Sequence, residues 1–139
     1  LRPDSYDHIV MSSALKILLV DDDRDLLMVL RMSLDMHGYK VVCSSDGQEA
    51  FFKTGNEVFD LIITDLKMPK MDGAELIKLI RTRQSTPIFI MSACVDSFKL
   101  KLGALKDQSN LTFFPKPFRP EALIDKIKEI KKANQKKAA

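Results

Sequence analysis

The runs ILLV at 17–20, LII at 61–63 and IFIM at 88–91 are apolar at every position, not at every second one. A strand with one wet face alternates apolar and polar side chains, whereas a strand covered on both faces does not. Segments of helical spacing separate the runs. Leu27, Leu30 and Leu34 repeat at i, i+3 and i+7 and give way to Gly38, a residue suited to ending a helix. Asp46 and Glu49 have the spacing of a capping box ahead of a short helix through Phe51 and Phe52. Leu76, Ile77 and Ile80 line a third helix entered through Asp72-Gly73, and a fourth covers about 97–105. The fifth opens at Pro120, which suits a first helical position, and continues through Leu123, Ile127 and Ile130.

Strand-like runs at 16–20, 40–43, 61–64, 87–91 and 111–114 thus alternate with five helical segments. That order predicts an α/β fold, a doubly wound five-stranded parallel sheet with helices on both faces. Right-handed crossovers bring every strand's C-terminal end to one edge. Open sheets of this kind bind their ligands at that edge.

A chain of 139 residues, 45% hydrophobic and 29% charged, has the composition of a single globular domain. The net charge of +3 is too small to argue for nucleic acid, and the excess is local: Lys126, Lys128, Lys131, Lys132, Lys136 and Lys137 crowd the C-terminus. There they solvate a helix end and complement its dipole. The expected division is a leader or linker over 1–13, the domain over 14–133 and a basic tail over 134–139. No apolar run approaches the roughly 18 residues a membrane span needs. Cys43 and Cys94 lie far apart without metal-ligand spacing and read as small buried hydrophobes in a reducing compartment, which predicts a cytoplasmic protein. His8 and His37 show no ligand spacing, and core filling accounts for the scattered methionines.

The predicted functional edge collects unusual chemistry. Asp21, Asp22 and Asp23 follow the first strand, Asp65 the third, Ser92 the fourth and Lys116 the fifth. Asp23 is in place to cap the first helix. The remaining carboxylates repel one another unless a cation relieves them, and Mg²⁺ takes one or two carboxylates together with waters and phosphate oxygens. Lys116 offers a compact positive charge to a phosphoryl oxygen and Ser92 a hydroxyl donor. A carboxylate beside a metal, an ammonium and a hydroxyl is equipped to attack phosphorus. Asp65 is placed as that nucleophile.

Four motifs, ILLVDDD, FDLIITDLKMPKMDG, PIFIMSA and FFPKPF, stand in order over most of the chain. In this the sequence resembles the receiver domain of two-component response regulators. The resemblance implies a flavodoxin-like sheet of order 2-1-3-4-5. It also implies that Asp65 is the phosphoacceptor and that Mg²⁺ is held by Asp21, Asp22, Asp65 and the backbone carbonyl of Lys67, with Asp22 the more direct ligand of the acidic pair. Ser92 and Lys116 would contact the phosphoryl group, Ser92 and Phe113 would form the switch, and the bond before Pro117 would be cis. The expected function is a phosphorylation-dependent signalling switch, not an enzyme with a separate substrate. Its donor would be a histidine kinase or histidine phosphotransfer protein. Its output would be a protein contact on the fourth helix, fifth strand and fifth helix, without direct nucleic acid or membrane binding. The chain would be a monomer or a phosphorylation-dependent dimer. The alternative within this class is a phosphorelay shuttle or protein-binding module cut from a larger regulator or hybrid kinase. Ser109-Asn110 stand where the family often has Gly-Ala before the switch aromatic.

Two other classes fit less well. A phosphatase of the haloacid dehalogenase type would place its nucleophile in a DxD pattern after the first strand, which Asp21 to Asp23 satisfy. It would also need metal-binding acids at a strand end beyond the lysine, and only Glu121, Asp125 and Glu129 follow Lys116, all on a predicted helix. A flavin carrier needs a phosphate loop rich in Ser, Thr or Gly after the first strand, and DDDRD repels phosphate.

Overall fold

The computed structural model describes residues 14–94, 96, 102, 103 and 110–138. Along the chain run β1 (Lys16–Val20), α1 (Arg24–Met36), β2 (Lys40–Ser44), α2 (Gly47–Asn56), β3 (Leu61–Asp65), α3 (Gly73–Arg81), β4 (Ile88–Ser92), β5 (Leu111–Pro115) and α4 (Pro120–Ala138). The helix expected at about 97–105 falls mostly outside the described residues.

All five strands are parallel and stand in the order β2-β1-β3-β4-β5. The apolar runs divide by alternation between two cores. Ile17, Leu19, Ile63, Phe89 and Met91 face Leu27, Leu30 and Leu34 of α1 and Leu123, Ile124 and Ile127 of α4. Leu18, Val20, Ile62, Ile88 and Ile90 face Ala50 of α2 and Leu76, Ile77 and Ile80 of α3. Each of these side chains larger than alanine stabilises the fold by about 1.5–3 kcal/mol through burial, so both layers are anchored to the sheet.

The helix entries follow from single side chains. Asp23 Oδ1 accepts from the amides of Asp25 and Leu26, Asp46 from Glu49 and Asp72 from Glu75. Glu49 does not complete a reciprocal box; its carboxylate pairs with Lys53 at 2.8 Å. Helix α1 ends at His37, whose Nδ1 lies 2.9 Å from the Ser33 carbonyl, and the chain turns through Gly38 at a φ of 84°. Among the described residues no helix is long and apolar enough to cross a membrane.

Two expectations about side chains are corrected. Met28, Met32 and Met36 do not fill the core; they are exposed, Met36 by 84%. The leucine stripe of α1 already covers the sheet; around the helix Met28 points about 100° away from Leu27, and Met32 and Met36 about 160° away from Leu30 and Leu34. Met68 and Met91 are buried as expected. Cys94 is exposed and Cys43 half-buried, because Cys94 lies beyond the last residue of β4, where the chain has left the sheet.

Candidate functional site

The parallel register fixes which strand ends are neighbours. Val20 pairs with Thr64, Asp65 with Met91 and Ser92 with Pro115. Bonds just past the ladder hold the edge together: Asp21 N–H donates to the Ser44 carbonyl, Leu66 N–H to that of Met91 and Lys116 N–H to that of Ser92. Residues far apart in sequence are thereby drawn to one place.

Asp21 is only 1% exposed, whereas Asp22 is exposed and Asp65, the last residue of β3, is buried. One carboxylate oxygen from each of the three lies within 4.8 Å of the others. Repulsion between charges at such range amounts to a few kcal/mol. The relief present is partial. Lys116 Nζ stands 3.4 Å from Asp21 Oδ2 and 3.4 Å from Asp65 Oδ1. Both distances exceed the roughly 2.7–2.9 Å of a close charge-assisted bond, so one ammonium is shared by two acids and tight on neither. Two backbone amides assist: Asp23 N–H donates to Asp21 Oδ1 and Leu66 N–H to Asp65 Oδ1, each at 2.9 Å.

Burial is the main reason the Asp21 carboxyl is pushed up to about 6, and the charge of Asp65 adds to it; the Asp23 amide and Lys116 work in the opposite direction. The shift thus comes chiefly from burial, with a neighbouring charge adding to it, and a cation at this edge would favour the ionised form. Oxygen donors only, converging within 4.8 Å with one side open, suit a hard divalent cation such as Mg²⁺.

Beside the carboxylates opens a cavity of about 280 Å³ lined by Asp65, Lys67, Ser92, Cys94 and Lys116. Ser92 Oγ accepts from the Cys94 amide at 3.0 Å. The Lys116–Pro117 peptide is cis. Of the expected site residues, Asp21, Asp22, Asp65, Lys67, Ser92 and Lys116 gather at this edge. Phe113 does not line the cavity; it sits half-buried in β5 opposite Ile90, packed on the α2–α3 side of the sheet. Three contributors were not anticipated from the sequence: the amides of Asp23 and Leu66, and Cys94, two residues past Ser92. The position of Cys94 after a strand end was the one available signal.

A twisted parallel sheet of order 2-1-3-4-5 with an acidic pocket and a reaching lysine at its C-terminal edge defines a phosphoacceptor module. The chain matches the family model of the response regulator receiver domain over residues 17–128 and belongs to that family, the phosphorylation-dependent switches of two-component signalling. It is 36% identical over 115 residues to the transcriptional regulatory protein CpxR of Klebsiella pneumoniae, covering 83% of this chain and 48% of that protein. Identity to the alkaline phosphatase synthesis transcriptional regulatory protein PhoP of Bacillus subtilis is 35% over 116 residues, again 83% of this chain and 48% of the relative. The chain therefore spans about half the length of these curated relatives. Its fold superposes on the chemotaxis protein CheY4 of Vibrio cholerae with a TM-score of 0.75 at 31% identity, over 84% of this chain and 98% of that one.

Proposed function

We propose that Asp65 accepts a phosphoryl group from a phosphohistidine donor and that the acceptance needs Mg²⁺. The observation that carries this is the convergence of three carboxylates within 4.8 Å, two of which share the Lys116 ammonium. A carboxylate oxygen of Asp65 attacks phosphorus; the P–O bond forms as the donor's P–N bond breaks, and the electron pair leaves on the imidazole nitrogen. Lys116 holds one phosphoryl oxygen and Ser92 donates its hydroxyl to another. Asp21, Asp22, Asp65 and the Lys67 carbonyl would hold the metal. When bound, Mg²⁺ neutralises charge on the acids and on the transferred phosphoryl group. Burial of Asp65 beneath the Leu66 amide keeps the acceptor oriented.

The donor in this reading is a histidine kinase or a histidine phosphotransfer protein, and no separate substrate is turned over. Residues 1–13 and 134–139 flank a receiver unit of 14–133, and the domain works in the cytoplasm. Ser92 follows the phosphoryl group, and the space it leaves beside β4 admits Phe113, remodelling the surface from 97 to 132 for a protein target. DNA contact is left outside the domain: the relatives called transcriptional regulatory proteins are about twice as long as the matched region.

The test is intact mass after incubation with a small phosphodonor and Mg²⁺. Wild type gains one phosphoryl group; Asp65→Asn gains none, and neither does wild type in excess chelator. A wild-type rate of uptake by Asp65→Asn would remove the assignment.

A further inference from the structure

Two glycines stand at the first positions of α2 and α3, and neither has a left-handed backbone. Alanine is the better helix former by up to about 1 kcal/mol, so conformation does not call for glycine there. Space does. A Cβ on Gly73 would overlap the carbonyl oxygen of Asp65 and approach Leu66 Cα to 2.7 Å. A Cβ on Gly47 would stand 2.8 Å from the Met71 carbonyl oxygen and 3.1 Å from Met71 Cβ and Cγ.

Both contacts grip the same loop, residues 66–72, which carries Lys67 and hangs from Asp65. Its base is closed by Gly73 N–H donating to the Leu66 carbonyl at 2.7 Å. Its far side is tightly wound, with Lys70 at a φ of 67° and Met71 N–H bonded to the Pro69 carbonyl at 2.8 Å. Met68 is buried and Met71 packs against the core, so the loop cannot swing outward without exposing them.

We propose that Gly73 and Gly47 are positioning residues for the acceptor site. Their missing side chains let the starts of α3 and α2 clamp loop 66–72, setting where the Asp65 carboxylate and the Lys67 carbonyl stand. The inference rests on the metal and acceptor roles given above to Asp65 and Lys67. Gly47 is the informative member, because it belongs to another helix and touches none of the reacting groups. A control lies in the same helix: a Cβ on Gly55 would meet only the guanidinium end of the long Arg83 side chain, at 3.3 Å.

The experiment titrates Mg²⁺ alone into wild type, Gly73→Ala, Gly47→Ala and Gly55→Ala, following the backbone amides of residues 65–68 and 70–73 and recording thermal unfolding without metal. Mg²⁺ affinity is expected to fall about ten-fold for Gly73→Ala and roughly three-fold for Gly47→Ala, with Gly55→Ala unchanged. In metal-free protein the Asp65 and Leu66 amide resonances shift in the first two variants only. If Gly73→Ala fails to fold, Gly47→Ala decides. Folded Gly47→Ala with wild-type Mg²⁺ affinity, unshifted Asp65 and Leu66 amides and a wild-type phosphorylation rate overturns the clamp, whatever its melting temperature. Failure of wild type itself to bind Mg²⁺ would instead strike the acceptor reading.

Discussion

The two edges of the sheet carry acids in opposite circumstances. At the N-terminal edge Glu57 pairs with Lys16 Nζ at 2.7 Å, and Asp60 accepts from the Lys16 amide at 2.8 Å. At the C-terminal edge Asp21 and Asp65 divide one ammonium at 3.4 Å, with Asp22 beside them. The first arrangement is complete and holds strands in place. The second is only partly balanced by its one shared ammonium, which is the condition the proposed uptake of Mg²⁺ would relieve.

The largest effect expected from this contrast is the pH dependence around Asp21. A carboxyl held at about 6 when folded but near its ordinary value when unfolded binds its proton more tightly in the native state. Its contribution to stability is therefore full below pH ~4 and disappears as pH rises through about 6, a change on the order of 3 kcal/mol. Metal-free protein should lose that stability between pH 4 and 6, and Asp21→Asn should flatten the profile and raise stability at pH 7. Chemical denaturation with and without Mg²⁺ checks this; an unchanged profile in Asp21→Asn would show that the buried acid is not strained.

Next comes Lys116→Met, which removes the cation that, among the described residues, pairs with Asp21 and Asp65. Metal-free stability should fall by about 2 kcal/mol, discounted from the cost of breaking a fully buried pair because Lys116 is partly exposed. Mg²⁺ should recover more stability in this variant than in wild type, while phosphoryl uptake drops about a hundred-fold. Equal Mg²⁺ stabilisation of both proteins would deny the shared-ammonium picture.

Smaller effects belong to the opposite edge. Asn110 occupies a left-handed conformation at a φ of 60° and donates to the Ser85 carbonyl at 3.0 Å. Asn110→Ala should cost about 1 kcal/mol and Asn110→Gly less, read as shifts in denaturant midpoint. Glu57→Gln should cost less than ~1 kcal/mol, since the pair is about one-third exposed. Both should leave Mg²⁺ affinity untouched, and any change in it would mean that the two edges are coupled.

Much of this is legible in the sequence alone. Uninterrupted apolar runs announced a sheet covered on both faces, and Asp23, Asp72 and Pro120 marked helix starts that the structure places where expected. The first strand ends at Val20 as expected, and β4 begins at Ile88 instead of Pro87. The other four strands run one residue further than expected, to Ser44, Asp65, Ser92 and Pro115, which look like turn residues while still belonging to their strands. That error matters, since Asp65 and Ser92 owe their fixed positions to the ladder. The exposed face of Met28, Met32 and Met36 was hidden because composition does not say which way a helix is rolled once leucines have filled its inner stripe. The unequal burial of Asp21 and Asp22, and the approach of Gly47 to Met71, exist only after elements distant in sequence have packed.

The most direct test of the account as a switch is amide hydrogen exchange with and without beryllofluoride and Mg²⁺. Protection should rise around Asp21, Asp65 and Lys116 and change along 97–132, including Phe113, while Lys16, Glu57 and Asp60 at the other edge stay as they were. Changes confined to the pocket, with none along 97–132, would contradict it: the phosphoryl group would then be bound without being transmitted.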